Sequence, residues 1–275
     1  MEDISLVSLA LLAGALLATG VVAGIIAGLL GVGGGIVIVP VLYYMFSGLG
    51  IDQDVLMHLA VGTSLATILA TGTSSARAHW KRGSVDMDLL KSWWWAIALG
   101  VIGGATLAGN LSGGALTLIF GVVALVVSAN MLLRKEGSAI AEKLPGSPFK
   151  ELMGLLIGGI SVMMGIGGGT LGVPTLTLFS YPIRKAVGTA AAIGLIIAVP
   201  GTLMSIYFGW EAEGRPPFSL GYVNLIGFFL IIPASTYAAP LGAKIAHTID
   251  PSKLKLIFAL FLGFTGLRMI YDVMM

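Results

Sequence analysis

Two glycine triplets are the densest chemical signal in the sequence. Gly33-Gly34-Gly35 lies in the run GVGGGIVIVP and Gly167-Gly168-Gly169 in the run GIGGGTLGVP. Glycine reaches backbone conformations closed to other residues and lets a second group approach closely. Each triplet precedes a short apolar run that reads as a helix. The first N–H groups of a helix lack partners inside it and sit at the positive end of its dipole. Such a backbone can hold an anion with no buried Lys or Arg. The competing reading is close helix packing through small residues, which is preferred for Gly100/Gly104 and Gly154/Gly158. A dinucleotide fingerprint would need glycine at positions 36 or 170, where Ile36 and Thr170 stand, and no strand precedes either triplet.

Hydroxyls form a second constellation. Thr63 and Ser64 lie in AVGTSLA, Thr189 lies in AVGTAAA, and Thr170 follows the second triplet directly. A hydroxyl donates to an oxyanion while staying neutral in lipid, although Ser and Thr in helices also bond to their own backbone carbonyls. Basic side chains follow: Arg77, His79, Lys81, Arg82, Arg184 and Lys185. As a group they concentrate anions at one membrane face. Arg77 and Arg184 adjoin the hydroxyl-bearing segments and are candidates for touching the anion; the others read as topology signals. His58 precedes the first AVGT block and reads as a satisfied interfacial side chain, with proton carriage as the alternative. No acidic residue lies inside an expected span, so proton or sodium coupling by a buried carboxylate has no carrier. There are 3 histidines and no cysteines, which offers no spacing for a catalytic metal or a thiol nucleophile. The sequence calls for no cofactor, and a net charge of +2 gives no footprint for nucleic acid.

The elements that position these residues are membrane helices. Of the 275 residues, 57% are hydrophobic and 10% charged, with a mean hydropathy of +0.99. No Asp, Glu, Lys or Arg occurs from Ile4 to Ile51, from Ser92 to Leu133 or from Leu152 to Ile183. One crossing takes about 20 apolar residues, so the first two gaps must each hold two elements. Apolar runs between breakers predict ten segments, at 5–29, 36–46, 55–75, 92–110, 116–134, 151–164, 170–180, 186–208, 220–243 and 254–272. The second and seventh span only about half of a hydrocarbon core roughly 30 Å thick. Trp93-Trp94-Trp95 reads as an interfacial anchor. Pro40, Pro174, Pro200, Pro233 and Pro240 read as kinks or breaks.

The chain also repeats itself. The two triplet runs share six of ten positions, AVGTSLA matches AVGTAAA, Gly83-Ser84-Val85 matches Gly221-Tyr222-Val223, and LTLIF from Leu116 matches LKLIF from Leu254, in one order. The predicted architecture is all-α and polytopic: two five-segment repeats, residues 1–137 and 151–275, joined by a cytoplasmic linker at 138–150. Each repeat carries a short broken helix after its glycine triplet. An odd number of segments inverts the second repeat, the arrangement of inverted-repeat carriers. Basic loops around Arg77–Lys91, Arg134–Lys150 and Arg184–Lys185, with Lys244, Lys253 and Lys255, are placed in the cytoplasm by the positive-inside rule. Both termini then lie outside. Arg268 fits that rule less well, but Asp272 one turn later can pair with it.

At GLLGVGGGIVIVP, AVGTSLA and AHWKRGSVD in the first half, and at GIGGGTLGVPTL and RKAVGTAAA in the second, the chain resembles the TauE/SafE sulfite-exporter family. The resemblance covers nearly the whole chain. It implies a carrier in a bacterial inner membrane that exports sulfite or a short organosulfonate such as sulfoacetate. It also carries the family's glycine motifs onto Gly31, Gly33 to Gly35, Gly165 and Gly167 to Gly169, its prolines onto Pro40 and Pro174, and its threonines onto Thr63 and Thr189. One departure is Ala190 where the first half has Ser64. Thiosulfate, sulfate or a carboxylate, inward movement, and a non-transporting scaffold remain open. An intramembrane Ser/His enzyme has no matched pair of groups. Partners are the small anion and the bilayer, and the small-residue helix faces suit a homodimer.

Overall fold

The structure, a computed structural model, describes residues 6–30, 34–133, 140–245 and 251–275. Gly31, Gly33, Arg134 and Lys135 lie outside the described residues. Among the described residues ten helices follow one another: α1 Leu6–Leu30, α2 Gly35–Gly48, α3 Gln53–Lys81, α4 Met87–Asn110, α5 Gly113–Leu133, α6 Phe149–Met163, α7 Gly169–Leu178, α8 Ile183–Phe208, α9 Leu225–Ile245 and α10 Pro251–Met274. Five of them contain stretches long and apolar enough to cross a membrane (α3, α4, α5, α8 and α10), and shorter apolar stretches lie in α1, α2 and α9. The chain is an all-α, polytopic membrane protein. Large apolar side chains face outward along the bundle, among them Leu107, Val126, Leu203, Phe229 and Ile257, as lipid-facing surfaces require.

Four expectations change in detail. The third segment runs on to Lys81, because Arg, Ala and Lys are good helix formers and no breaker intervenes until Gly83, which turns the chain at φ 67°. Arg77, His79 and Lys81 are therefore helical. The ninth helix starts at Leu225, later than residue 220. Ahead of it, Ser219–Leu220 pairs antiparallel with Val223–Asn224 around Gly221 at φ 56°. Trp93 is no lipid anchor: it is fully buried, and its Nε1 donates to the Lys150 carbonyl at 2.5 Å. Trp94 and Trp95 stay exposed. Pro40, Pro174 and Pro200 stand inside continuous helices. Arg268 does pair with Asp272, at 3.1 Å.

Packing follows the internal repeat. α1 lies against α9 as α6 lies against α4, α2 against α3 as α7 against α8, and α3 against α9 as α8 against α4. The α3–α8 and α5–α10 contacts are their own counterparts when each helix is exchanged for the one five later. Small residues make the close pairs possible. A Cβ on Gly100 would stand 2.1 Å from the Leu155 carbonyl oxygen, and one on Gly158 would stand 2.2 Å from that of Ile97. The counterpart pair shows the same device, with Gly24 against the Ser235 carbonyl at 2.4 Å. These glycines bring backbones together, as expected for small-residue interfaces in lipid. α3 is the central helix: 89% of its apolar window is buried, against 33–44% for the other four spanning windows.

Candidate functional site

The two glycine breaks meet each other at α3. Gly34 caps α2 in the left-handed region at φ 76° with no side-chain cap. A Cβ on Gly35 would come 2.5 Å from the Gly165 carbonyl oxygen and 3.0 Å from Ser64 Oγ. Gly165 is itself left-handed at φ 64°, and a Cβ there would meet Val61 Cα at 2.8 Å. The start of α2, the turn before α7 and the middle of α3 thus touch through backbone. At the second break, a Cβ on Gly168 would meet Ile193 Cγ2 at 2.5 Å and the Ala190 carbonyl at 2.7 Å. Gly167 and Gly168 in turn lie beside Gly194 of α8.

Both short helices start buried. Gly34, Gly35, Gly167, Gly168, Gly169 and Thr170 are all shielded. In α2 the first hydrogen bond is Val37 N–H to the Gly34 carbonyl, at 3.0 Å, so the Gly35 and Ile36 amides precede it. In α7 the first is Gly172 N–H to the Gly168 carbonyl, at 2.7 Å. The amides of Gly169, Thr170 and Leu171 come before it, and no side chain caps that helix. Thr170 is 4% exposed, and its hydroxyl has no hydrogen-bond partner. The hydroxyls of Ser161 on α6 and Thr202 on α8 are in the same condition. A buried unpaired hydroxyl costs roughly 1–3 kcal/mol, and native structures hold few of them. A group at the α7 start that accepts hydrogen bonds would satisfy both the Thr170 hydroxyl and the leading amides.

The remaining hydroxyls are engaged between the halves. Ser64 donates to the Gly165 carbonyl at 2.7 Å, tying α3 to the second break. Thr63 Oγ1 accepts the Asn224 amide at 2.8 Å, and Thr189 Oγ1 accepts the Asp86 amide at 2.9 Å. These two bonds are equivalent under the repeat: each AVGT threonine holds the loop that precedes α4 or α9 in the other half. The glycine before each threonine permits the approach, since a Cβ on Gly62 would lie 2.5 Å from the Tyr222 carbonyl and one on Gly188 would lie 2.4 Å from that of Ser84. The held residues cap their own helices. The Asp86 carboxylate accepts the Leu89 amide at 3.0 Å, and Asn224 Oδ1 accepts that of Gly227 at 2.8 Å.

The two latches differ in charge. Tyr181, in the turn after α7, donates its hydroxyl to Asp86 Oδ2. The Leu89 amide, then the Tyr181 hydroxyl, hold the Asp86 carboxyl below its ordinary value. Burial and then the Asp86 carboxylate push the Tyr181 hydroxyl up. The other latch has the neutral Asn224 and, beside it, His58. The His58 ring is buried, with Nε2 2.9 Å from the Ala108 carbonyl and Nδ1 3.1 Å from that of Asp54. It packs on Tyr222 with ring centroids 4.8 Å apart. Arg77 and Arg184 are exposed, and neither forms an ion pair among the described residues. They sit at the α3 C-terminal and α8 N-terminal ends, the end that carries the Asp86 latch.

Sequence reasoning passed over Asp86, Asn224, Tyr181 and Ser161. A signal existed for the first two. The match of Gly83-Ser84-Val85 to Gly221-Tyr222-Val223 extends by one residue to Asp86 and Asn224, both favoured helix N-cap types. For Ser161 and Tyr181 the sequence offers none, since only packing shows their surroundings.

The sequence model of the family described as sulfite exporter TauE/SafE matches residues 16–269. The chain belongs to the TauE/SafE family. It is similar to a probable membrane transporter protein of Haemophilus influenzae, 34% identical over 92% of this chain and 96% of that one. A probable membrane transporter protein of Methanocaldococcus jannaschii is 28% identical over 93% of this chain and 94% of its own length. The probable membrane transporter protein YunE of Bacillus subtilis is 26% identical over 94% of this chain and 97% of its own. No solved structure matches the chain. As a TauE/SafE protein it is a multi-pass membrane protein of a transporter family, and not an enzyme.

Proposed function

We propose that this TauE/SafE protein exports a small sulfur oxyanion, sulfite or a short organosulfonate such as sulfoacetate, across a bacterial inner membrane by alternating access. The anion sits between the two glycine breaks. Of the candidate glycines Gly33 to Gly35 and Gly167 to Gly169, Gly35 and Gly169 present leading amides to it together with Ile36, Thr170 and Leu171, and the Thr170 hydroxyl donates to it. Thr63, Ser64 and Thr189 frame the seat and hold the two halves around it. Arg77 and Arg184 gather anions at the cytoplasmic mouth. The observation that carries this reading is the buried, unpartnered Thr170 hydroxyl at an uncapped helix start. A site made of dipoles binds an anion modestly, and so releases it readily.

The repeats, 1–137 and 151–275 with 138–150 between them, are read as inverted in the membrane, with basic loops cytoplasmic and both termini periplasmic. The exchange symmetry of the helix contacts supports two related halves that rock against each other. The test is flux of labelled sulfite and sulfoacetate in proteoliposomes, with thiosulfate, sulfate and a carboxylate as competitors. Gly168→Leu must abolish flux while the protein still inserts. Wild-type flux in that variant ends the proposal.

A further inference from the structure

A cavity lies at the end of the bundle opposite the Asp86 latch. Ser205 and Tyr222 line it near the surface, the buried His58 and Ala105 lie at its side, and Val61 and Val162 are also in its wall. Tyr222 and Ser205 are partly exposed, whereas Val61 and Val162 are buried at 4% and 2% exposure. With Leu116, fully buried in the same wall, the two valines form its inner side. Behind them is the second glycine break: Gly165 N–H donates to the Val162 carbonyl at 3.1 Å, and a Cβ on Gly165 would meet Val61 Cα at 2.8 Å. The cavity thus ends one residue layer from the seat.

Its volume, about 20 Å³, has room for about one water, far less than any sulfonate needs. The turn at Tyr222 covers the surface side. Tyr222 N–H donates to the Ser205 carbonyl at 3.1 Å, the Tyr222 carbonyl rests on Gly62, and the Asn224 amide bonds Thr63. With the close packing of Gly221 on Ile206 and of Gly209 on Tyr222, these are backbone contacts of one short loop, the class of element that hinge movements use.

We propose that this cavity is the closed form of the anion's route between the seat and the membrane face at the α3 N-terminus, with Val61 and Val162 as the inner plug and the Tyr222 loop as the outer lid. The proposal rests on the transport reading above and adds the path and its two barriers. Opening takes the Tyr222 loop off Gly62 and separates α3 from α6. His58 and Ser205 then line a polar mouth, while the valines stop water and ions in the closed state.

The chain has no cysteine, so single cysteines can be read without a background. Ser205→Cys, Ala105→Cys and Val61→Cys are compared with lipid-facing Leu203→Cys, using a membrane-impermeant anionic thiosulfonate added to either side of oriented vesicles. Ser205→Cys, partly exposed, is expected to react at least tenfold faster than Leu203→Cys, and only from the α3 N-terminal side. Ala105→Cys and Val61→Cys, both buried, are expected to react only when the route opens, and sulfoacetate, which leaves the mixed disulfide intact, slows them. Labelling of Ser205→Cys no faster than Leu203→Cys, or from the opposite side, overturns the route. These rates need no flux, so a protein that moves no sulfur anion yet labels as expected refutes the transport reading and leaves the route standing.

Discussion

The symmetric threonine latches make an unequal prediction. Valine is nearly isosteric with threonine, so Thr63→Val and Thr189→Val keep the volume and remove only the oxygen that accepts an amide. Thr63 and Thr189 are both fully buried, but the donors they serve are not alike. Asn224 is 5% exposed, so its amide loses its acceptor with no water to replace it, at a cost of about 1–3 kcal/mol. Asp86 is only partly buried; water reaches its amide, and the loss falls to the net worth of one hydrogen bond, about 0.5–1.5 kcal/mol. Unfolding free energies from reversible denaturant titration in mixed micelles should therefore rank wild type above Thr189→Val above Thr63→Val. Thr63→Ser, which keeps the acceptor, should recover most of the loss. Equal effects, a reversed order, or no recovery by serine would show that these oxygens do not hold the loops.

Thr170→Val should leave stability unchanged or slightly raised, because it deletes a buried unpartnered hydroxyl. The same change should raise the apparent KM for sulfoacetate flux roughly tenfold, the loss of about 1.4 kcal/mol from one donor to a charged group. Gly35→Ala puts a Cβ 2.5 Å from the Gly165 carbonyl and should destabilise by about 1–3 kcal/mol, whereas Gly48→Ala meets nothing within 4 Å and should be silent in the same titration. The Asp86 carboxyl is held below its ordinary 3.8, so it contributes stability that is full above that value and lost as the pH falls through the lower folded-state value. Acid titration of Asp86→Asn and Tyr181→Phe should accordingly show a shallower loss of stability below about pH 4 than wild type.

The sequence alone determined that the chain is a bundle of apolar helices with two related halves. Charge-free runs of such length are stable only in lipid, and the glycine runs that end or start helices are local features of the sequence, whereas Pro40, Pro174 and Pro200, read as kinks or breaks, lie within continuous helices. It also marked both broken helices, whose observed starts at Gly35 and Gly169 follow from the triplets themselves. The end of α3 and the start of α9 were less legible: Gly83 and Gly221 turn the chain, but how far a helix runs toward such a turn depends on capping by Asp86 and Asn224. Only the tertiary structure decided what the hydroxyls do. Thr63, Ser64, Thr170 and Thr189 look alike in sequence, yet three of them bond backbone more than 100 positions away and only Thr170 stays unpartnered. Which hydroxyl is free depends on which backbone groups the other half brings within about 3 Å, and that distance is a property of packing.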